Sequence, residues 1–168
     1  PGRRLCIWTA GCSKNCKGCS SPHLREFNKY NDLDIVDYLK DFDFSTVDGI
    51  TISGGEPFLQ LKELRNFIEF VHDKVDDILI YTGMKYDTLK YLEDAKYIFS
   101  KISVLVDGEY VQELDRNDKL RGSNNQKIKI FKNKYKEIYE KYNKEKRSQG
   151  LFDVDGKIIG VGLLRKGD

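Results

Sequence analysis

Gly49-Ile50-Thr51-Ile52-Ser53-Gly54-Gly55-Glu56-Pro57 is a short β-branched run that stops abruptly in two glycines, an acid and a proline. The run reads as a strand, and Ser53 to Pro57 as the turn at its end. From Leu61 to Val75 the period changes, and Leu64, Phe67, Ile68 and Val71 fall on one helical face. Strand, glycine turn and helix make one β-α unit.

The same order recurs on both sides. Upstream, Leu5-Cys6-Ile7-Trp8-Thr9 is an apolar run ending in Ala10-Gly11, a buried strand that delivers the chain to a cysteine-rich loop. A helix is expected from Asp32 to Phe42, with Leu33, Val36 and Tyr38 or Leu39 at helical spacing and Asn31 or Asp32 as its cap. Downstream come strand Ile78 to Tyr81, turn Thr82-Gly83, helix Tyr86 to Leu92, and strand Ile102 to Val106 closed by Asp107-Gly108. Lys127 to Phe131 reads as a further strand, Lys134 to Lys146 as a Tyr- and Lys-rich helix, and Phe152 to Leu163 as a hairpin about Asp155-Gly156. Alternating strands and helices predict an α/β fold with a mostly parallel sheet and a C-terminal hairpin. At 168 residues, one domain over 1–168 is expected.

With 29 basic and 27 acidic residues the chain is nearly neutral, which gives no case for nucleic acid or a membrane surface. The most apolar stretches are of strand length, far short of a membrane span, and no signal peptide is visible. Three of the four cysteines crowd between Cys12 and Cys19 instead of stapling separate loops. Such crowding points to a metal site in a reducing compartment, so a cytoplasmic location is expected. Pro1 enters directly on the motif Pro1-Gly2-Arg3-Arg4, so the natural chain is expected to begin earlier.

A cubane cluster has four irons, and three thiolates leave one iron open to a small molecule. That is the logic of a catalytic metal site. On spacing alone the alternative is zinc, because His23 lies four residues beyond Cys19 and could complete a Cys3His set. Cys6, within an apolar run, is expected to be a small buried hydrophobe and is left out of the ligand set. Ser53 to Pro57 should stand at the same sheet edge as the cysteine loop. Its two glycines let backbone approach a ligand closely, and Glu56 supplies an anion.

With Cys12-Ser13-Lys14-Asn15-Cys16-Lys17-Gly18-Cys19 followed by Gly54-Gly55-Glu56-Pro57, the sequence resembles the radical S-adenosylmethionine superfamily. Pro1-Gly2-Arg3-Arg4, Ile80-Tyr81-Thr82-Gly83, Val104-Leu105-Val106-Asp107-Gly108 and Leu120-Arg121-Gly122-Ser123-Asn124-Asn125-Gln126 narrow it to segments similar to those of the small activating enzymes of anaerobic ribonucleotide reductase. The last segment has the plainer reading of a solvated loop.

The resemblance implies a partial (β/α) barrel with an open lateral face. It implies a [4Fe-4S] cluster on Cys12, Cys16 and Cys19, and S-adenosyl-L-methionine chelating the open iron. The cofactor set would be Gly18, Ser20, Ser53, Gly54, Gly55, Glu56, Pro57 and Asp107, the turn's backbone fixing the methionine amino group. One electron breaks a sulfur–carbon bond, and the 5′-deoxyadenosyl radical takes a hydrogen from substrate, so no side-chain acid or base is expected to be indispensable. The implied partners are a large glycyl radical enzyme, anaerobic ribonucleotide reductase, and a flavodoxin or ferredoxin-like electron donor. Family members often carry Asn-Pro after the third cysteine, where this chain has Ser20-Ser21-Pro22-His23, which bears on partner identity.

Several residues keep two readings. Asp107 either faces the cofactor ribose or closes a strand as an Asp-Gly turn. His72 reads as a surface residue. The basic stretch Lys127 to Arg147 is either a solvated amphipathic helix or a dock for an acidic partner. Two other activities stand beside glycyl radical formation: radical modification of a peptide or small metabolite, and a non-catalytic metal-binding module.

Overall fold

A computed structural model of the chain describes residues 1–27, 33–147, 150–154 and 157–161, the last two stretches as backbone. Five strands form one sheet in the order β1 (Arg4–Thr9), β2 (Gly49–Gly54), β3 (Ile78–Thr82), β4 (Val104–Asp107) and β5 (Lys127–Ile130). The first four are parallel and β5 runs antiparallel to β4. The sheet is open, with β1 and β5 as its edges.

Alternation along the strands sorts side chains to two faces. Leu5, Ile7, Ile50, Ile52, Ile78, Ile80 and Leu105 face one way and pack against the helices α1 (Ile35–Leu39), α2 (Leu61–Val71) and α4 (Glu93–Lys101). On α2 the anticipated face, Leu64, Phe67, Ile68 and Val71, is buried, each side chain contributing about 1.5–3 kcal/mol of transfer free energy. On the other face Leu79, Val104 and Val106 meet Leu120 and Tyr139, the latter from α5 (Lys136–Lys144). That cover lies over β3 to β5. Over β1, Cys6 and Trp8 remain exposed on the uncovered face.

Cys6 was therefore misjudged as buried: β1 is an edge strand and only one of its faces is covered. Asp34 caps α1 by accepting from Val36 N and Asp37 N at 2.9 and 3.2 Å, so the helix starts later than expected. The proposed caps Asn31 and Asp32 lie outside the described residues. Helix α3 (Tyr86–Leu89) stops early, and α4, unanticipated, buries Ala95, Ile98 and Phe99. At the C-terminus β6 (Gly150–Val154) pairs antiparallel with β7 (Lys157–Val161), while Asp155, Gly156, Gly162 and Leu163 lie outside the described residues. Among the described residues no helix is long and apolar enough to cross a membrane.

The N-terminal end of the sheet is sealed by a polar knot. Arg4 donates to Asp77 Oδ2 and Thr51 Oγ1, each at 2.7 Å, and to Ile50 O at 2.6 Å. The Tyr139 hydroxyl donates to the same carboxylate at 2.9 Å. Charge pairing and hydrogen bonds satisfy a buried ion there. Thr82 lies opposite Asp107, and Asp107 opposite Lys127, so the opposite edge collects the C-terminal ends of β1 to β4 and the entry to β5.

Candidate functional site

The loop after β1 closes on itself first. Gly11 N donates to Leu24 O at 2.8 Å, and Cys12 N to Arg25 O at 3.0 Å. The Arg25 guanidinium then reaches inward, giving Nη1 to Asn15 Oδ1 at 2.8 Å and Nη2 to Cys16 O at 2.6 Å. Within this frame Lys14 N donates to Cys12 Sγ and Ser21 N to Cys19 Sγ, both at 3.4 Å. Hydrogen bonds of this kind favour thiolate sulfur and tune a bound metal group.

The loop is fastened to the glycine turn after β2. Gly55 N donates to Thr9 O at 2.7 Å and Glu56 N to Gly11 O at 2.9 Å. A Cβ on Gly54 would stand 2.4 Å from Thr9 backbone atoms, and one on Gly55 2.3 Å from Gly11 O. The glycines were expected to admit a ligand. Their missing side chains also admit the cysteine loop, so the turn and the loop interlock.

Glu56 ties the same turn to β3. Only 1% exposed, it accepts from Thr82 Oγ1 at 2.6 Å and Phe58 N at 3.1 Å through Oε1, and from Gly83 N at 2.7 Å through Oε2. Its carboxylate is taken up in joining the ends of β2 and β3.

A cavity of about 330 Å³ opens over this assembly, lined by Cys12, Cys16, Cys19, Ser20, Ser53, Gly54, Gly55 and Glu56 among the anticipated residues. Its size suits a small organic ligand. Gly18, Pro57 and Asp107 do not line it. Gly18, at φ +71°, packs against the Gln112 side chain, and Pro57, itself buried, starts a 3-10 turn. Asp107 shares a strand face with Leu105, on the helix side, where Oδ2 accepts from Tyr86 N at 2.8 Å and Oδ1 is buried without a partner. Its carboxylate thus meets the first turn of α3, and the residue is absent from the cavity lining although Thr82, opposite it on β3, is part of that lining.

Other lining residues carried no site assignment from sequence. Trp8, 55% exposed, stands at the rim over β1. The segment 121–126 is a folded clamp and not a solvated loop. Gln126 Oε1 accepts from Gly122 N and Ser123 N, its Nε2 donates to Gly108 O at 2.8 Å, and Arg121 binds Asp118, Asn124 and Gln126 O. Arg147 pairs with Asp115 and carries a buried Nε–H without an acceptor. Lys119, Arg121 and Arg147 also line the cavity, each paired with a carboxylate, Glu145, Asp118 and Asp115 in turn. Two ion pairs join the cysteine loop to segment 109–115: Lys14, in the lining, with Glu109 at 2.6 Å, and Lys17 with Glu113 at 3.2 Å.

The donor set fits an iron–sulfur cluster. Burial pushes the Cys12 thiol up, and nearby Glu56 and the other two cysteines add to it against the Lys14 N–H, so bound cationic iron would relieve the site. Among the described residues no three His, Cys, Asp or Glu side chains are gathered closely enough for a single ion. His23, the fourth member of the zinc alternative, is absent from the cavity lining. All three thiols line the one cavity, as shared ligands of a polynuclear cluster must.

Comparison with known proteins agrees. The profile described as a 4Fe-4S single cluster domain matches residues 1–129. A protein of Haemophilus influenzae named anaerobic ribonucleoside-triphosphate reductase-activating protein is 34% identical over 142 residues, covering 78% of this chain and 90% of that one. A protein of Vibrio cholerae with the same name is 34% identical over 145 residues, with 78% and 90% covered. Its namesake in Enterobacteria phage T4 is 29% identical over 135 residues, with 76% and 84% covered. No solved structure matches. Cysteine loop, interlocked glycine turn and similarity over 78% of the chain converge: the chain belongs to the family of anaerobic ribonucleoside-triphosphate reductase-activating proteins, built on a 4Fe-4S single cluster domain.

Proposed function

We propose that this chain generates a glycyl radical on an anaerobic ribonucleoside-triphosphate reductase. The observation that carries the reading is the interlock of the cysteine loop with the Gly54–Pro57 turn at the wall of one cavity. Cys12, Cys16 and Cys19 would hold a [4Fe-4S] cluster, and Ser20, Ser53 and the turn would hold S-adenosyl-L-methionine beside it. Together these groups supply, when bound and given one electron, the cleavage of a sulfur–carbon bond that yields a 5′-deoxyadenosyl radical.

The chain's own residues bind, orient and exclude water. Lys14 N and Ser21 N steady two sulfurs, Arg25 keeps the loop's shape, and the 121–126 clamp sets Gly108 at the far wall. No side chain need move a proton, because a hydrogen atom passes from a substrate glycine to the radical. We read the open sheet as an incomplete barrel whose uncovered flank, beside Trp8, admits the reductase's glycine loop. The electron would come from a flavodoxin or ferredoxin-like donor, in the cytoplasm.

The test uses anaerobically reconstituted protein with reductant, S-adenosylmethionine and the reductase of the same organism. Electron paramagnetic resonance is expected to show a doublet from one glycine α-hydrogen. Deuteration of that glycine should move the label into 5′-deoxyadenosine. Rapid cofactor cleavage on a small peptide or metabolite, with no doublet on any reductase of the organism, would overturn the reading in favour of a different radical substrate.

A further inference from the structure

We propose that Thr82, at the end of β3, is a positioning residue for the cofactor turn and acts through Glu56. The inference rests on the function proposed above and names a residue outside both motifs that sets how well the turn performs.

Thr82 is 4% exposed. Its hydroxyl has two neighbours, Glu56 Oε1 at 2.6 Å and Met84 N at 3.0 Å. The Met84 amide can only donate and the Glu56 carboxylate accepts, so the single hydroxyl proton is directed to Glu56 and a lone pair to Met84. Glu56 Oε2 accepts from Gly83 N, so two successive groups of the β3 end hold the two carboxylate oxygens. On its other side the turn hangs from β1, by Gly55 N to Thr9 O and Glu56 N to Gly11 O.

The turn is thus suspended between two strands, and its β3 anchor is a side chain. A charge-assisted O–H···O bond of this length is among the stronger restraints available. Without it, Glu56 keeps Gly83 N and Phe58 N but loses the donor that fixes Oε1 toward β3. The backbone of Gly54 and Gly55 then gains freedom at the point assigned to the methionine amino group. The cysteine loop keeps a frame of its own, Gly11 N to Leu24 O and the Arg25 bonds to Asn15 and Cys16, so the cluster is expected to load.

The experiment compares Thr82→Val, which keeps the shape and removes the hydroxyl, with Thr82→Ser, which restores it. In the cluster-free protein, amide hydrogen exchange at Gly55 and Glu56 is expected to quicken about tenfold in Thr82→Val and to stay near the parent rate in Thr82→Ser. In the reconstituted enzyme, iron content should be unchanged, KM for S-adenosylmethionine should rise about tenfold and kcat should change less than twofold. On a Glu56→Gln background the same Val substitution should raise KM less than twofold further, because the partner through which it acts is already altered.

Unchanged exchange at Gly55 and Glu56, loss of iron from Thr82→Val, or full additivity with Glu56→Gln each overturns the positioning role. If exchange responds as expected but the parent enzyme shows no saturable dependence on S-adenosylmethionine, the positioning of the turn stands and the cofactor reading beneath it fails.

Discussion

Alanine at Cys12, Cys16 or Cys19 is expected to reduce cluster iron and the accompanying charge-transfer absorbance at least tenfold, while Cys6→Ala leaves most of both. Each of the three thiols lines the cavity, and two carry a backbone N–H donor at 3.4 Å. One iron of a cubane is reserved for the cofactor, so three thiolates are the minimum, and two cannot hold the remaining irons. No fourth sulfur stands in reserve. Cys6 projects from the exposed face of β1, its Sγ 3.8 Å from Arg4 O near the base of the strand, and it is not part of the cavity wall. Iron analysis after anaerobic reconstitution decides, and loss of iron from Cys6→Ala alone would falsify the ligand assignment.

Gly55→Val is expected to remove cluster and cofactor binding together. Read from sequence, this substitution should spare the cluster and weaken only the cofactor, since the glycine was assigned to ligand approach. The structure reverses that expectation. The new Cβ would lie 2.3 Å from Gly11 O, 2.9 Å from Gly11 C and 3.0 Å from Leu24 O, all of them backbone atoms that no rotamer change can move aside. The turn and the cysteine loop must separate, breaking Gly55 N to Thr9 O and Glu56 N to Gly11 O. Overpacking of this kind costs about 1–3 kcal/mol or more, and here the strain falls on the frame of the metal site. Iron per chain should fall several-fold and the melting temperature should drop, with Gly55→Ala in the same direction. Full iron content with lost S-adenosylmethionine binding would restore the simpler reading.

What was legible in the sequence was local. The β-branched runs, the Leu64-Phe67-Ile68-Val71 face and the cysteine spacing each declare themselves within a dozen residues: the α2 face is buried against the sheet, and the cysteines meet the Ser53–Glu56 turn at one cavity. Properties that depend on neighbours distant in sequence were not. Cys6 sits in a run that reads as buried on both sides, yet exposure was decided by β1 being an edge strand. Asp107 could have been oriented by counting parity from Leu105, which shares its face. The Gln126 bond to Gly108 spans 18 residues and leaves no periodic trace. Helix α4 carries Ala95, Ile98 and Phe99 at helical spacing, but its charged first turn, Glu93-Asp94, gave no apolar start to follow.

The two ion pairs between the cysteine loop and segment 109–115 make the molecule responsive to its ionic surroundings. The cysteine loop is closed by partners 13 residues apart, Gly11 and Leu24, whereas Lys14–Glu109 and Lys17–Glu113 join groups 95 and 96 residues apart. Closing the longer span from an open chain costs about 1.8 kcal/mol more, and exposed pairs return only about 0–1 kcal/mol each. Segment 109–115 has firmer attachments on its other side, Val111 N to Ser123 Oγ and Asn124 N to Leu114 O. The seam between this segment and the cysteine loop is therefore the place where added salt acts first, since free ions screen such pairs over roughly 8 Å at physiological strength. Raising salt should quicken amide exchange at Leu114 and Asp115 while Gly11 and Cys12 stay protected, opening one lip of the cavity without disturbing the frame that holds the sulfurs.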